Sequence, residues 1–174
     1  MKKVGLFIDT VNLYNVLKFR YGKRSKLSYS KYVDFLADIT NEFTSQVATC
    51  MSPNHNDNVE LFYKALEDVG FTLIKEKLRH YQNYKDGFIG RKVDCDVALT
   101  VDLLNKCDNL DHIILGSNDD DLLPLVKTLK DKGKKVTIFA CMIPDTLRDI
   151  TDSYIEIPES LLENRDYEAT ATKR

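Results

Sequence analysis

Short apolar segments alternate with helix-like segments along most of this chain, and this alternation restricts the fold more than any other feature. Apolar segments of this length are typical of strands that are buried within a sheet. A strand, a helix and a further strand in succession predict a parallel sheet covered by helices on both faces, which is the α/β class. The strands are predicted at Val4–Ile8, Gln46–Met51, Phe71–Leu78, His112–Leu115, Val136–Ala140 and Tyr154–Ile157.

The helices are predicted from apolar residues at helical spacing and from the residues that follow them. Gly70 and Gly133 each stand where a glycine commonly ends a helix. Residues 52–56 are predicted to be a loop, and residues 79–92 a hairpin or an ordered loop. The helices are predicted at Asn12–Phe19, Tyr29–Phe43, Val59–Val69, Val97–Cys107, Leu122–Lys132 and Asp145–Ile150.

The length and composition are those of one globular domain. The 174 residues predict a domain over residues 1–162 and a polar tail over residues 163–174 that frays. No apolar stretch approaches the roughly 20 residues of a membrane-spanning helix, so we expect a cytoplasmic protein. The cysteines form no CxxC pair and are predicted to be buried, reduced residues: Cys50, Cys95, Cys107 and Cys141.

Acidic residues stand at three of the predicted junctions between strands and helices. Asp9 ends the first strand, and Asn12 follows one turn later. Asp94 and Asp96 precede the fourth predicted helix, and Asp119–Asp121 follow the fourth strand. Because strand ends meet along one edge of a parallel sheet, we expect these carboxylates to share a site. Oxygen ligands of this kind suit Mg²⁺ or Mn²⁺, and the sequence is compatible with one or two ions.

Some of the same residues have simpler structural explanations. Carboxylates favour helix N-termini, so Asp119–Asp121 can be capping residues. One cap needs one or two acids, and three in a row therefore favour a site, with Asp120 the member expected to be only solvated. Asp9 alone can be a turn residue, and Asn12 can bond to the backbone of the first helical turn. The interpretation of Asp9 as a ligand therefore depends on the other acidic groups.

Asp94 and Asp96 compete for one role, because one of them is expected to be the N-cap of the following helix. Asp96 is favoured as the ligand, and Asp94 is the alternate. Asp102 lies about 120° around the helix from Asp96. A pair with Lys106 at i,i+4 spacing accounts for Asp102 without a role in the site.

Affinity for nucleic acid would have to come from local basic segments, because the net charge is only −2. Residues 18–26 contain five cations and no acid, and residues 75–92 combine six cations with Tyr81, Tyr84 and Phe88. Aromatic rings can stack on bases while cations hold phosphates, but ordinary surface cations and core tyrosines explain both segments equally well. The candidate nucleic-acid-binding residues are Lys23, Arg24, Arg79, Lys85, Arg91 and Lys92.

Three stretches together resemble the NYN domain, the LabA-like branch of the PIN-like nuclease superfamily. They are residues 7–14 (FIDTVNLY), 93–102 (VDCDVALTVD) and 117–125 (SNDDDLLPL), and the resemblance extends from about Lys3 to Ile157. It implies a Rossmann-like three-layer sandwich with a mainly parallel central sheet. It also implies a Mg²⁺- or Mn²⁺-dependent ribonuclease that hydrolyses RNA phosphodiester bonds and leaves a 5′-phosphate and a 3′-hydroxyl.

The resemblance also implies roles for individual residues. The implied metal ligands are Asp9, Asp96 and Asp119. Asn12 and Asp121 would complete the catalytic set by positioning water, and Ser117 would hydrogen-bond an outer oxygen. The expected partner is RNA, with single strands favoured; a membrane partner is not expected, and a homo-oligomer is compatible with the sequence.

Three residues depart from the family pattern. Asn118 and Thr10 stand where the family usually has glycine, and Leu122 stands where it has phenylalanine. Asparagine can adopt the left-handed backbone that glycine would supply, so we expect Asn118 to keep the turn. None of these departures removes a carboxylate.

Two other functions are compatible with the sequence. The first is a catalytically weak RNA-binding module of the same fold. The second is a small-molecule phosphatase, which is less favoured because the haloacid-dehalogenase-type pattern has a second aspartate two residues after the first. This chain has Val11 at that position.

Overall fold

The computed structural model describes residues 2–40, 42–52, 57–82 and 89–163, and gives the backbone alone for residues 57, 79–82 and 89–92. The strands are β1 Val4–Asp9, β2 Lys26–Leu27, β3 Ser45–Ser52, β4 Thr72–Lys77, β5 Arg79–Gln82, β6 Ile89–Lys92, β7 His112–Gly116, β8 Lys135–Ala140, β9 Ser153–Glu156 and β10 Leu162–Glu163. The α-helices are α1 Thr10–Tyr21, α2 Tyr29–Asp34, α3 Asp57–Asp68, α4 Cys95–Lys106, α5 Leu123–Asp131 and α6 Asp145–Ile150.

The central sheet has six strands in the order β4-β3-β1-β7-β8-β9. Every neighbouring pair in it is parallel, which confirms the predicted α/β fold. The chain builds outward from β1 through β3 to β4, and then from β7 through β8 to β9 on the other side. The order therefore reverses between β1 and β7, and open parallel sheets bind ligands beyond the carboxyl ends of the strands at such a reversal.

The core is closed around the carboxyl end of β7 by a buried tyrosine. Tyr32 of α2 donates a hydrogen bond from its hydroxyl to the carbonyl of Phe139 over 2.7 Å, and the two rings stack with centroids 4.2 Å apart. A Cβ on Gly116 would lie 2.6 Å from the Cγ2 atom of Ile8 and 2.7 Å from the Tyr32 hydroxyl. Only glycine allows this close approach, so Gly116 lets α2 pack directly against the strand that leads into the candidate site.

The predicted helix Tyr29–Phe43 is wrong in length, because α2 ends at Asp34. The backbone continues as tight turns, in which the amide of Leu36 bonds to the carbonyl of Val33. Leu36 is nevertheless fully buried. The apolar spacing therefore indicated correctly which side chains are buried, but not the conformation of the backbone that carries them.

The other predicted elements are confirmed apart from small shifts at their ends. Leu122 belongs to a short 3-10 helix before α5 rather than to α5 itself. β5 and β6 pair as antiparallel strands, which confirms the hairpin prediction for their part of residues 79–92. The antiparallel pairing of β2 with β10 was not predicted. Residues 53–56, 83–88 and 164–174, on which other predictions fell, lie outside the described residues.

All four cysteines are buried and free, as predicted. Asp102 and Lys106 form the predicted pair, with the carboxylate and the ammonium 2.8 Å apart. In the part of the chain that the structure describes, no helix is both long enough and apolar enough to cross a membrane.

A buried histidine links the strands on one side of the sheet. The Nε2 atom of His112 lies 2.8 Å from the Oγ1 atom of Thr137, which lies 2.7 Å from the hydroxyl oxygen of Ser153. Burial, followed by repulsion from Lys135 and Lys2, lowers the pKa of His112 from 6.5 to about 4. The imidazole is therefore neutral in the folded protein at neutral pH.

We expect this histidine to weaken the fold on acidification. Between pH 6.5 and about 4 the unfolded chain binds a proton at His112 that the folded protein does not bind, so the free energy of unfolding falls as the pH falls. The loss from this residue is about 2 kcal/mol at pH 5. Urea unfolding at pH 7 and pH 5 tests this, because His112→Gln should lose less stability than the wild type by about that amount. Equal losses in the two proteins would contradict it.

Candidate active site

The candidate site lies at the carboxyl edge of the sheet, where β1 and β7 are neighbours. Ile8 pairs with Gly116, so the next residues, Asp9 and Ser117, leave the sheet side by side. Asp96, in the first turn of α4, comes to the same edge because α4 packs against β1 and β3. The fold therefore brings Asp96 of the second acidic group towards Asp9 at the end of β1.

Asp9 is 5% exposed and is the N-cap of α1. Its Oδ1 atom accepts hydrogen bonds from the backbone amides of Val11 over 2.9 Å and Asn12 over 3.0 Å. The carboxylate is therefore held in a fixed orientation by the amino end of its own helix. Its Oδ2 atom accepts no hydrogen bond from the described residues.

Burial raises the pKa of Asp9 from 3.8 to about 6. The two backbone amides act in the opposite direction, since they favour the charged carboxylate. Repulsion from Asp96 and Asp119 raises the pKa further, so both carboxylates lie close enough to act on Asp9. An ionised Asp9 is therefore costly in this fold unless a cation comes close to it.

Asp119 repeats the capping arrangement of Asp9 on the neighbouring strand. It is the N-cap of the 3-10 helix Asp120–Leu122, and its Oδ1 atom accepts a hydrogen bond from the amide of Asp121 over 3.0 Å. The amide of Asp119 donates to the Oγ atom of Ser117 over 3.3 Å. Ser117 is fully buried, so its hydroxyl supports the turn that carries Asp119.

Asn12 joins the two loops that carry the capping acids. Its side-chain Oδ1 atom accepts a hydrogen bond from the amide of Asn118 over 3.1 Å. The expectation that Asn118 would adopt a left-handed backbone is wrong: Met142 is the non-glycine residue with positive φ in the described part of the chain. The turn is held instead by hydrogen bonds, and the Nδ2 group of Asn118 donates to the carbonyl of Met142 over 3.1 Å.

The remaining acids differ in their exposure and their hydrogen bonds. Asp94 is the N-cap residue of α4, and its side chain makes no capping bond. Asp96 is half-buried, whereas Asp120 and Asp121 are exposed. Asp120 accepts a hydrogen bond from the hydroxyl of Thr146 on α6, so it has a structural partner rather than solvent alone.

The predicted nucleic-acid-binding residues do not form one group in the described structure. Lys23 and Arg24 are exposed in the turn after α1. Arg79, Arg91 and Lys92 lie on β5 and β6, where Arg79 pairs with Lys92. The last predicted residue, Lys85, lies outside the described residues.

The donor groups at this edge fit a hard divalent cation. Three carboxylates repel one another, and Asp9 and Asp119 each use one oxygen for capping, which leaves their Oδ2 atoms without a hydrogen bond from the described residues. Mg²⁺ and Mn²⁺ take such oxygen ligands. The described residues nevertheless contain no group of three or more acidic, histidine or cysteine side chains already gathered to hold a metal. Binding would therefore require the carboxylates to move closer together.

Comparison with known proteins identifies the family. The sequence profile of the NYN domain matches residues 3–161. The chain belongs to the NYN domain family. Asp9, Asp96 and Asp119 all fall within the NYN match.

Two relatives of this NYN domain support the same assignment. The Low amplitude and bright protein LabA of Synechococcus elongatus is 27% identical over 99 residues, which are 55% of this chain and 53% of LabA. The chain thus spans about half the length of that relative, and the match supports the LabA-like branch. A protein of unknown function from Vibrio parahaemolyticus, solved by crystallography, is 28% identical with a TM-score of 0.76. That match covers 93% of this chain and 96% of the other.

Sequence analysis of this NYN domain missed the hydrogen bonds that join its loops. In the sequence, Asn118 stands out only because the family usually has glycine at that position, and Met142 has no distinguishing feature. Both contacts depend on loops that are distant along the chain. Local patterns in a single sequence carry no signal for such pairs.

Proposed function

We propose that this NYN domain is a Mg²⁺- or Mn²⁺-dependent ribonuclease that hydrolyses phosphodiester bonds of single-stranded RNA at the carboxyl edge of its sheet. The observation that carries the proposal is the raised pKa of Asp9, whose causes include repulsion from Asp96 and Asp119. A buried carboxylate that two others repel, at a topological switch point, is destabilising without a cation. The NYN family is generally nuclease-like, which agrees with this chemistry.

In the proposed mechanism Asp9, Asp96 and Asp119 hold the metal. When bound, Mg²⁺ or Mn²⁺ would neutralise negative charge on a phosphate oxygen and lower the pKa of the water that it binds. Asp9 and Asp119 enter this role already oriented by the backbone amides that they cap. The capping bonds fix the direction of these two carboxylates, while the movement that brings the three ligands together would still accompany metal binding.

The residues around the ligands position the reactants. Asn12 fixes the distance between the loops of Asp9 and Asp119 through its bond to Asn118. Asp121 is exposed at the opening of the site, where its carboxylate can accept a hydrogen bond from the attacking water. Ser117 is fully buried. Its hydroxyl oxygen accepts a hydrogen bond from the amide of Asp119, so its role is to hold this loop and not to contact the substrate.

A second candidate is an RNA-binding module of the same fold with negligible turnover. It is favoured by the absence of a preassembled three-ligand group among the described residues. Thermal unfolding in EDTA, Mg²⁺ and Mn²⁺ separates the two candidates. A metal that binds only the folded protein stabilises it by RT ln(1 + [L]/Kd), so the nuclease proposal requires the melting temperature to rise with the metal concentration. A flat response would favour the binding module.

Asp96→Asn should reduce cleavage of a single-stranded RNA in Mn²⁺ by roughly a hundredfold or more, because it removes a charged ligand without changing the volume of the side chain. The matched control is Asp102→Asn on the same helix, since Asp102 pairs with Lys106. We expect the control to keep its cleavage rate. Gel-resolved cleavage of an end-labelled RNA measures both variants, and equal rates in Asp96→Asn and the wild type would overturn the assignment.

A further inference from the structure

Glu156, at the carboxyl end of β9, gathers two arginines from different helices. Its Oε1 atom accepts a hydrogen bond from the Nη2 group of Arg148 on α6 over 2.8 Å. Its Oε2 atom lies 4.0 Å from the Nη1 atom of Arg20 on α1. We call Arg20, Arg148 and Glu156 the arginine clamp. None of its members belongs to the acidic group described above.

The arginine clamp is connected to the candidate active site through one loop. The carboxylate of Glu156 also accepts hydrogen bonds from the amides of Met142 over 3.0 Å and Ile143 over 3.2 Å. On the other side of this loop the carbonyl of Met142 accepts a hydrogen bond from Asn118, the residue before Asp119. Met142 therefore connects the arginine clamp to the loop that carries Asp119.

That residue is strained. Met142 has a φ of 55°, which an unbranched non-glycine side chain adopts uncommonly. Bonds to both its amide and its carbonyl hold it in place. Backbone strain that is fixed from both sides is concentrated at functional positions. The uncommon backbone of Met142 therefore suggests that the connection between Glu156 and Asn118 serves the function of the protein.

The arginine clamp carries more positive charge than its single carboxylate neutralises. The side chain of Arg20 is 44% exposed and lies at the outer limit of an ion pair. Arg148 lies over the exposed ring of Tyr154, with its guanidinium carbon 5.0 Å from the ring centroid, and its buried Nε group has no hydrogen-bond partner among the described residues. The Nε group is too deeply buried to meet a ligand, so the exposed parts of the Arg20 and Arg148 guanidinium groups are the donors that match the oxygens of a phosphate.

An RNA strand that binds at the carboxyl edge of the sheet would bring its negative phosphates close to three carboxylates, so nearby cations would favour its binding. The phosphates next to a scissile bond would be repelled by Asp9, Asp96 and Asp119, and this repulsion acts over about a Debye length of 8–10 Å. The arginine clamp, connected to this edge through Met142, is a pair of cations that would offset this repulsion. The exposed ring of Tyr154 offers a surface on which a base can stack.

We propose that the arginine clamp binds the phosphodiester backbone of the RNA strand next to the bond that is cleaved. The identity of the polymer rests on the proposed function, but binding by the clamp is testable without cleavage. Arg20 is the better probe, since its exposed side chain can be changed without leaving buried groups unpaired, whereas Arg148 has a buried Nε group.

The test is fluorescence anisotropy of a labelled single-stranded oligoribonucleotide in EDTA, at several salt concentrations, with the full chain. Arg20→Gln should raise the Kd roughly three- to tenfold and reduce the slope of log K against log salt by about 0.7, the value for one phosphate contact on a single strand. Arg20→Lys should keep the slope, because it keeps the charge. The matched control, Lys64→Gln on α3, removes the same charge elsewhere and should change the Kd by less than about twofold.

Each outcome decides one of the two proposals. An Arg20→Gln variant that binds RNA as Lys64→Gln does, or a wild-type protein that binds no RNA, would overturn the clamp and leave Glu156 as a purely structural ion pair. Weaker binding by Arg20→Gln without any cleavage in Mn²⁺ would support the clamp and reject the nuclease. Arg148→Lys supplies a second measurement: it keeps the charge, so the salt slope should change little, while loss of the guanidinium that bonds Glu156 should weaken binding.

Discussion

Asp9→Asn is expected to abolish RNA cleavage and, at the same time, to stabilise the metal-free protein. Asparagine is as good an N-cap as aspartate, so α1 keeps its start. It carries no charge to hold a metal, and we expect cleavage to fall by about a thousandfold or more. Above pH 6 the same change removes a buried, repelled carboxylate, which should add about 3 kcal/mol to the free energy of unfolding.

The pH dependence of this gain follows from the direction of the pKa shift. Between pH 3.8 and about 6 the unfolded chain has lost the proton of Asp9 while the folded protein still holds it. The free energy of unfolding of the wild type therefore falls as the pH rises through this interval, and the loss is complete above it. Asp9→Asn lacks this loss, so its advantage should be largest above pH 6 and vanish below about pH 4.

Urea unfolding in EDTA across this pH range, together with an RNA cleavage assay in Mn²⁺, measures both effects. Asp38→Asn is the matched control, since Asp38 is exposed and its replacement removes the same charge. We expect the control to leave stability and cleavage unchanged. Addition of Mn²⁺ should stabilise the wild type and not Asp9→Asn. A variant that is less stable than the wild type at pH 7.5 would contradict the electrostatic account of the site.

Phe139→Ala is expected to have the largest effect on the fold itself. Phe139 is fully buried on β8 and stacks between Tyr32, with centroids 4.2 Å apart, and Phe35, with centroids 5.5 Å apart. Removing the ring leaves a cavity between α2 and the sheet and should cost about 3–5 kcal/mol. Native stabilities are typically about 5–15 kcal/mol, so little would remain. The melting temperature should fall by roughly 10–15 °C.

Phe19→Ala is the matched control for this cavity, because it makes the same chemical change on a side chain that is 81% exposed. Its effect on the free energy of unfolding should stay within about 0.5 kcal/mol. Phe139→Leu should fall between the two, since it restores part of the volume. Thermal and urea unfolding of the three variants give these values. A small loss in Phe139→Ala would mean that α2 can collapse onto β8 without the ring.

The fold was predictable because its signals are local. Strands such as β1 and β7 are buried along their whole length and therefore read as continuous apolar segments. The region after α2 was not predictable, because Leu36 is buried in the hydrophobic core while its backbone forms turns. The β2–β10 pairing joins residues far apart along the chain, and each strand is only two residues long.

The candidate site was predictable in its residue types but not in its support. The sequence is compatible with Asp9 as a turn residue or a ligand and with Asp119 as a cap or a ligand, and the structure gives both of them capping bonds while leaving one oxygen of each without such a bond. The two interpretations are therefore compatible. The bond from Asn118 to Asn12 and the contacts of Glu156 could not be found from spacing, because they depend on the three-dimensional approach of separate loops.

The position of β1 in the middle of the sheet has a consequence for when the candidate site is assembled during synthesis. β1 can pair with β3 early, but its other neighbour, β7, is made only after β4, the β5–β6 hairpin and α4. Such non-local parallel pairings form slowly and late. Asp9 and Asp119 come from the two sides of this pairing, so a partly made chain would have the first acid without the second. The proposed nuclease would therefore stay inactive until its sheet is nearly complete.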